Sequence, residues 1–160
     1  MNAIPTTRSL MPSFWTRLRH GSRIVKQAAD WPKFAGEDWP DRILTETVTD
    51  LLHEKQGRAI ARWTLTNGAD KLIVFLKRHY KLPWVQGLLA TLFPRSARSP
   101  GLQEWEHLEW AKAAGFPVPR AVAAGQFVGP FGKLQGFIAI EELTGQLPLH
   151  LAVPLAAERL

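Results

Sequence analysis

Apolar positions along this chain change their period several times, and each change marks an element. Residues 57–66, GRAIARWTLT, set Ala59, Ala61, Trp63 and Leu65 against Arg58, Arg62 and Thr64. That is a period of two, broken only at Ile60, and it predicts a strand. Asn67-Gly68 follows as a hairpin turn signal. Residues 71–80, KLIVFLKRHY, then supply a second strand, in which the run Leu72, Ile73, Val74, Phe75, Leu76 reads as buried and Lys77 puts an ammonium at the end. Just upstream, Lys55-Gln56-Gly57-Arg58 predicts the turn from a preceding strand around residues 51–54. Three antiparallel strands result, with Lys77 on the third.

The period then becomes helical. Residues 82–93, LPWVQGLLATLF, place Trp84, Val85, Leu88, Leu89, Leu92 and Phe93 at helical spacings, with Gly87 as a break and Pro94 as the stop. Such a helix packs on its own domain or lies on a membrane with Arg78, Lys81, Arg95 and Arg98 reaching lipid phosphates. Residues 100–114 carry the clearest helix signals: Ser99 as N-cap, Pro100 at the first helical position, Glu104 and Glu106 near the positive end, and Gly115 as the stop. Projection at about 100° per residue gathers Leu102, Trp105, Leu108 and Ala111 on one face. Glu104 and Glu109 fall inside that arc and Glu106 outside it, and a carboxylate on a core-facing arc needs a partner.

Residues 120–126 and 136–143 read as two more strands, separated by a Gly- and Pro-bearing loop. The expectation is an α+β fold: a five-stranded antiparallel sheet with one principal helix inserted after the third strand and an extra helix in the insertion. Upstream, residues 41–53 read as a short helix or irregular segment passing into a strand. Residues 1–40 read as a basic, aromatic N-terminal arm, with Phe14, Trp15 and Leu18 beside Arg17 and Arg19, and with Trp31-Pro32 and Trp39-Pro40 framing a connector.

Composition narrows the function classes. At 160 residues and 46% hydrophobic, the chain suits about one domain. With no cysteine, it has neither disulfides nor thiolate metal sites, which fits a reducing, cytoplasmic setting. No apolar stretch is long enough for a signal-peptide core or a membrane span. The formal charge of +6 points to anionic partners. Its excess lies in two stretches without acids, 1–29 and 71–103. The five histidines are scattered without metal-ligand spacing, and no serine sits in a nucleophile-elbow context.

A strand ending in lysine, a helix with an inward glutamate, and a strand running into Glu-Glu-Leu together resemble the N-terminal lobe of the protein-kinase-like superfamily. Within it, FLKRH (75–79), QEWEHLEWAKAAGFPVPRAVAAG (103–125) and FIAIEELTG (137–145) resemble the lipopolysaccharide kinases of the Kdo and heptose kinase family. The likeness spans residues 54–144. It implies ATP as substrate and Mg2+ as its metal, with Lys77 gripping the α- and β-phosphates and Glu104 fixing Lys77; distance to Gly115-Phe116-Pro117 favours Glu104 over Glu109. It also places Ile140 behind the adenine, with the Glu141 C=O and the Leu143 N–H on the adenine edge and the Glu141 and Glu142 side chains incidental to nucleotide binding.

Two departures stand out. The turn at 55–58 has the single glycine Gly57 where typical kinases have a Gly-rich loop over the phosphates. The sequence also has no His-x-Asp or Asp-Phe-Gly stretch. The resemblance therefore implies residues 41–145 as a nucleotide-binding lobe and 146–160 as the start of a missing catalytic lobe. The expected whole is a kinase of a sugar hydroxyl on the lipopolysaccharide inner core, peripheral on the inner membrane face. The alternative is a non-enzymatic lobe that binds a protein partner or an anionic membrane surface. Nucleic-acid binding ranks last, since only charge supports it.

Overall fold

The computed structural model describes residues 13–48, 50–96 and 98–143; the expected segment 146–160 lies outside the described residues. Among the described residues no helix is long and apolar enough to cross a membrane. The elements run α1 (Phe14–His20), β1 (Ser22–Gln27), α2 (Trp31–Ala35), α3 (Trp39–Arg42), β2 (Asp50–Lys55), β3 (Arg58–Asn67), β4 (Asp70–His79), α4 (Trp84–Leu92), α5 (Pro100–Ala113), β5 (Ala121–Val128), a 3-10 turn (Pro130–Gly132) and β6 (Leu134–Glu141).

The sheet has six strands rather than five, in the order β1-β5-β6-β4-β3-β2, with every neighbouring pair antiparallel. The extra strand is β1, which comes from the expected arm and pairs along β5 from Ser22↔Val128 to Gln27↔Ala123. Its sequence SRIVKQ carries two basic side chains, as suits an edge strand that must resist further pairing. The β3–β4 hairpin closes on the two-residue loop Gly68-Ala69, with Gly68 at φ 61° as a tight hairpin requires.

The rest of the expected arm is a layer of the domain. Trp31 and Trp39, each followed by a proline in the first turn of its helix, are 0% and 2% exposed. They meet edge to face, and Trp31 meets Trp63 and Trp39 meets Phe137 in the same way, with centroids 5.7–6.0 Å apart. The Trp39 Nε1 donates to Gln27 Oε1 at 2.6 Å. Together with Ala35 and Ile43 they seal one sheet face, made by Leu65, Leu72, Val74, Leu76, Val122, Ala123, Phe137 and Ala139.

The other face carries α5. Ser99 caps it as expected, its Oγ accepting from Leu102 N at 3.3 Å, and Ser99 itself is fully buried beside Gln126. The helix enters so close to β6 that a Cβ on Gly101 would overlap the Phe137 carbonyl. Its Leu102 and Trp105 pack on Ala121, Ala124, Ile138 and Ile140, which belong to β5 and β6. Gly87, read as a break, lies mid-helix in α4 at a contact point: a Cβ there would overlap the Gly132 carbonyl oxygen.

Candidate functional site

Strand register determines what stands on the face beneath α5. Ile60, Lys77 and Ile138 are cross-strand partners in one row, and Arg62, Phe75 and Ile140 form the next. Because α5 covers the β5–β6 half, the Ile138 and Ile140 ends of these rows are buried, while Ile60, Phe75 and Lys77 line an open groove. The groove has a volume of about 680 Å3 and is lined by Ile60, Phe75, Lys77, Glu104, Leu108, Pro119, Ile140 and residues 141–143. This lies within the roughly 300–1,000 Å3 range of small-molecule pockets.

Lys77 and Glu104 meet at the inner end of the groove, with Nζ donating to Oε1 at 2.7 Å. The side chains are 34% and 36% exposed, so the pair is accessible and screened by solvent. Glu109, the other glutamate in the arc, is exposed. Beyond the pair the groove runs into a second hollow of about 390 Å3, lined by His53, Lys55, Gln56, Arg58, Lys77, His79 and Glu104 among others. Its basic side chains outnumber its one carboxylate, so it favours anions. Burial, followed by the neighbouring Arg58 charge, pushes His79 below its ordinary value and favours the neutral imidazole.

Of the expected site residues, Lys77, Glu104, Ile140, Glu141 and Leu143 share the groove. Gly57 does not. Gln56 and Gly57 both adopt positive φ (52° and 74°) in the two-residue turn closed by Lys55↔Arg58. Gly57 then points away from Lys77, its carbonyl accepting from Tyr80 N at 2.8 Å and its Cα facing Lys81. The turn residues at the anion-favouring hollow are Lys55, Gln56 and Arg58.

The connector is held by its side chains as well as its backbone. Glu142 accepts two hydrogen bonds from Arg62, both at 2.7 Å, which hold its carboxyl below the usual range. Glu141 accepts from Arg120 Nε at 2.6 Å, and Arg120 also donates to both Asp30 oxygens at 2.9 and 3.0 Å. These bonds raise the Arg120 pKa and lower that of Asp30. Both glutamate side chains are thus turned to holding the connector, a role the expectation about nucleotide binding did not address. Glu141 N and Glu142 N donate to Arg120 O and Ile73 O at 2.8 and 2.9 Å. Among the described residues no group of three or more His, Asp or Glu side chains gathers as a metal site, and Glu104 is engaged with Lys77.

Sequence reasoning missed Ile60 and Phe75 as groove residues. Ile60 had a signal: it alone broke the alternation of its strand. Arg62 and Arg120 had none, because their partners lie 80, 21 and 90 residues away.

No protein-family model matches the chain, and no curated protein matches its sequence. A solved structure described as WaaP in complex with acyl carrier protein is similar, with a TM-score of 0.57 and 20% identity over 85% of this chain. The chain spans 47% of that structure's length. At this identity the likeness shows the fold: a mixed α/β lobe around an antiparallel sheet.

Proposed function

We propose that this chain carries the nucleotide-binding lobe of an ATP-dependent kinase that acts on a sugar hydroxyl of the lipopolysaccharide inner core. The observation that carries the reading is the Lys77–Glu104 pair, at 2.7 Å, standing where an apolar groove meets an anion-favouring hollow. In this reading adenine lies between Ile60, Phe75, Leu108 and Ile140, its edge bonded to the Glu141 C=O and the Leu143 N–H. The phosphates extend past Lys77 towards Lys55 and Arg58. A compact ammonium held by a carboxylate on a rigid helix suits α- and β-phosphate oxygens. Magnesium would be held by the phosphates and by groups other than the described residues, which offer no ligand set for it. The substrate class rests on the resemblance of residues 75–79, 103–125 and 137–145 to the lipopolysaccharide kinases, and the likeness in fold to WaaP supports a kinase-like lobe.

The test is titration of the chain with a fluorescent ATP analogue. Lys77→Ala should weaken binding about tenfold to a hundredfold, the value of a charge-assisted hydrogen bond, while the unfolding midpoint stays where it was. Absence of saturable nucleotide binding, or indifference of that binding to Lys77, would overturn the reading. A second reading is a lobe serving a protein partner. It is favoured by the description of the WaaP structure, which holds acyl carrier protein.

A further inference from the structure

Helix α4 buries its small residues fully, keeps Leu88 and Leu89 half-buried and leaves its other large apolar residues in solvent. Gly87, Ala90 and Thr91 are buried, whereas Trp84, Val85 and Leu92 are 66%, 52% and 51% exposed. A helix on a globular domain ordinarily does the reverse, presenting its large apolar stripe to the core. Nearby, α1 and the 3-10 turn pack against α4 and against each other. They add exposed Trp15 and Phe131, and exposed Phe93 follows α4 directly. Phe131 is held outward at the tip of its turn with φ 56°. The six large side chains thus emerge from adjoining elements, away from the groove.

The charges around them have one sign. Lys81 and Lys133 line the same surface hollow as Trp84 and Phe131, and the Arg98 guanidinium sits 5.8 Å from the Phe93 ring centroid. The elements come from the three longest stretches of sequence without Asp or Glu: 1–29, 71–103 and 110–140. The fold brings α1, α4 and the 3-10 turn, one from each stretch, to one place. Among the described residues Lys81, Arg95, Arg98 and Lys133 form no ion pair with a carboxylate.

We propose that this surface docks on an anionic lipid bilayer, with the aromatic rings at the headgroup boundary and the lysines and arginines on lipid phosphates. Tryptophan and phenylalanine rimmed by cations are the composition of interfacial anchors. Protein–protein interfaces, by contrast, are depleted in lysine.

The test uses the whole chain without nucleotide, so its outcome is independent of the ATP reading. Sedimentation should show binding to phosphatidylglycerol-containing vesicles and little to pure phosphatidylcholine. The double variant Trp84→Ser, Phe131→Asn should weaken binding about tenfold or more, and Lys81→Gln and Lys133→Gln about fivefold each. All four side chains lie at the surface, so circular dichroism and the unfolding midpoint should match the parent. Because the chain has no cysteine, Leu92→Cys accepts a single environment-sensitive dye, whose emission should shift to the blue on the same vesicles. Failure to bind these vesicles, equal binding to neutral ones, or parental binding by the variants would overturn the proposal. A dye that stays in water on vesicles and shifts only with acyl carrier protein would overturn it in favour of a protein partner.

Discussion

Leu72, Val74 and Leu76 of β4 face Trp31 and Trp39, and the space between sheet and helices is filled. Phe75 and Lys77 of the same strand face α5, which lies over β5 and β6 and leaves a groove beside them. The two faces share their strands and differ in their cover. On one, short helices bring large indoles down onto the sheet. On the other, a longer helix is drawn to one side by the close approach at Gly101 and the buried Ser99–Gln126 contact. Where a site opens is therefore decided by where the covering helix is fixed and by the strand's own alternation, which puts Lys71, Lys77 and His79 beside Ile73 and Phe75 on the groove face.

The largest expected effect breaks the sealed face. Trp31→Ala should cost about 3–5 kcal/mol, measured by denaturant unfolding. A loss below about 1 kcal/mol would mean that the N-terminal layer is an accessory after all. A pair of substitutions on adjacent residues then sharpens the contrast. Val74→Ala, on the filled side, should cost about 2 kcal/mol, and Phe75→Ala, on the groove side, about half that, although it removes more atoms. The reverse order in the same assay would show that the groove wall is under as much packing constraint as the core.

The smallest effect concerns Arg120, which joins the N-terminal layer to the connector through Asp30 and Glu141. Arg120 holds the folded-state pKa of Asp30 below 3.8. The folded protein therefore binds fewer protons here than the unfolded chain, and stability falls with falling pH in this window. The stabilisation should be complete above about pH 5 and lost as pH drops below 3.8 and through the folded value. With both side chains 38% exposed, solvent screening limits it to about 0.5–1 kcal/mol. Asp30→Asn should be less stable than the parent by that amount at neutral pH and equal to it in strong acid. A difference that persists unchanged at the lowest pH would assign the contact to packing instead.

Much of the groove was legible because its parts are local patterns. The period of β3 and β4, the turns between strands, and the cap and stop of α5 each lie within a few residues, and they put Lys77 and an inward glutamate in the right elements. The arc left Glu104 and Glu109 equivalent, and the family resemblance favoured Glu104, the one found beside Lys77. The N-terminal layer was not legible for the opposite reason. Helices of five and four residues show no periodicity, and SRIVKQ has only two apolar positions, adjacent rather than alternating. Two Trp-Pro steps eight residues apart were the available clue, since each tryptophan opens a helix with proline in its first turn. The arginine anchors of the connector depend on partners brought together only by folding.

The fully buried positions of α4 are Gly87, Ala90 and Thr91, with Leu88 and Leu89 half-buried beside them, so the fold depends on that helix mainly through these residues and its backbone. Its protruding residues carry almost none of that dependence. Trp84, Val85 and Leu92 can be exchanged over generations with little cost to folding, which leaves this patch free to follow whatever surface the protein meets. Descendants of this lobe could acquire new docking habits while the Lys77–Glu104 groove, separated from the patch by the Gly57 turn, is inherited unchanged.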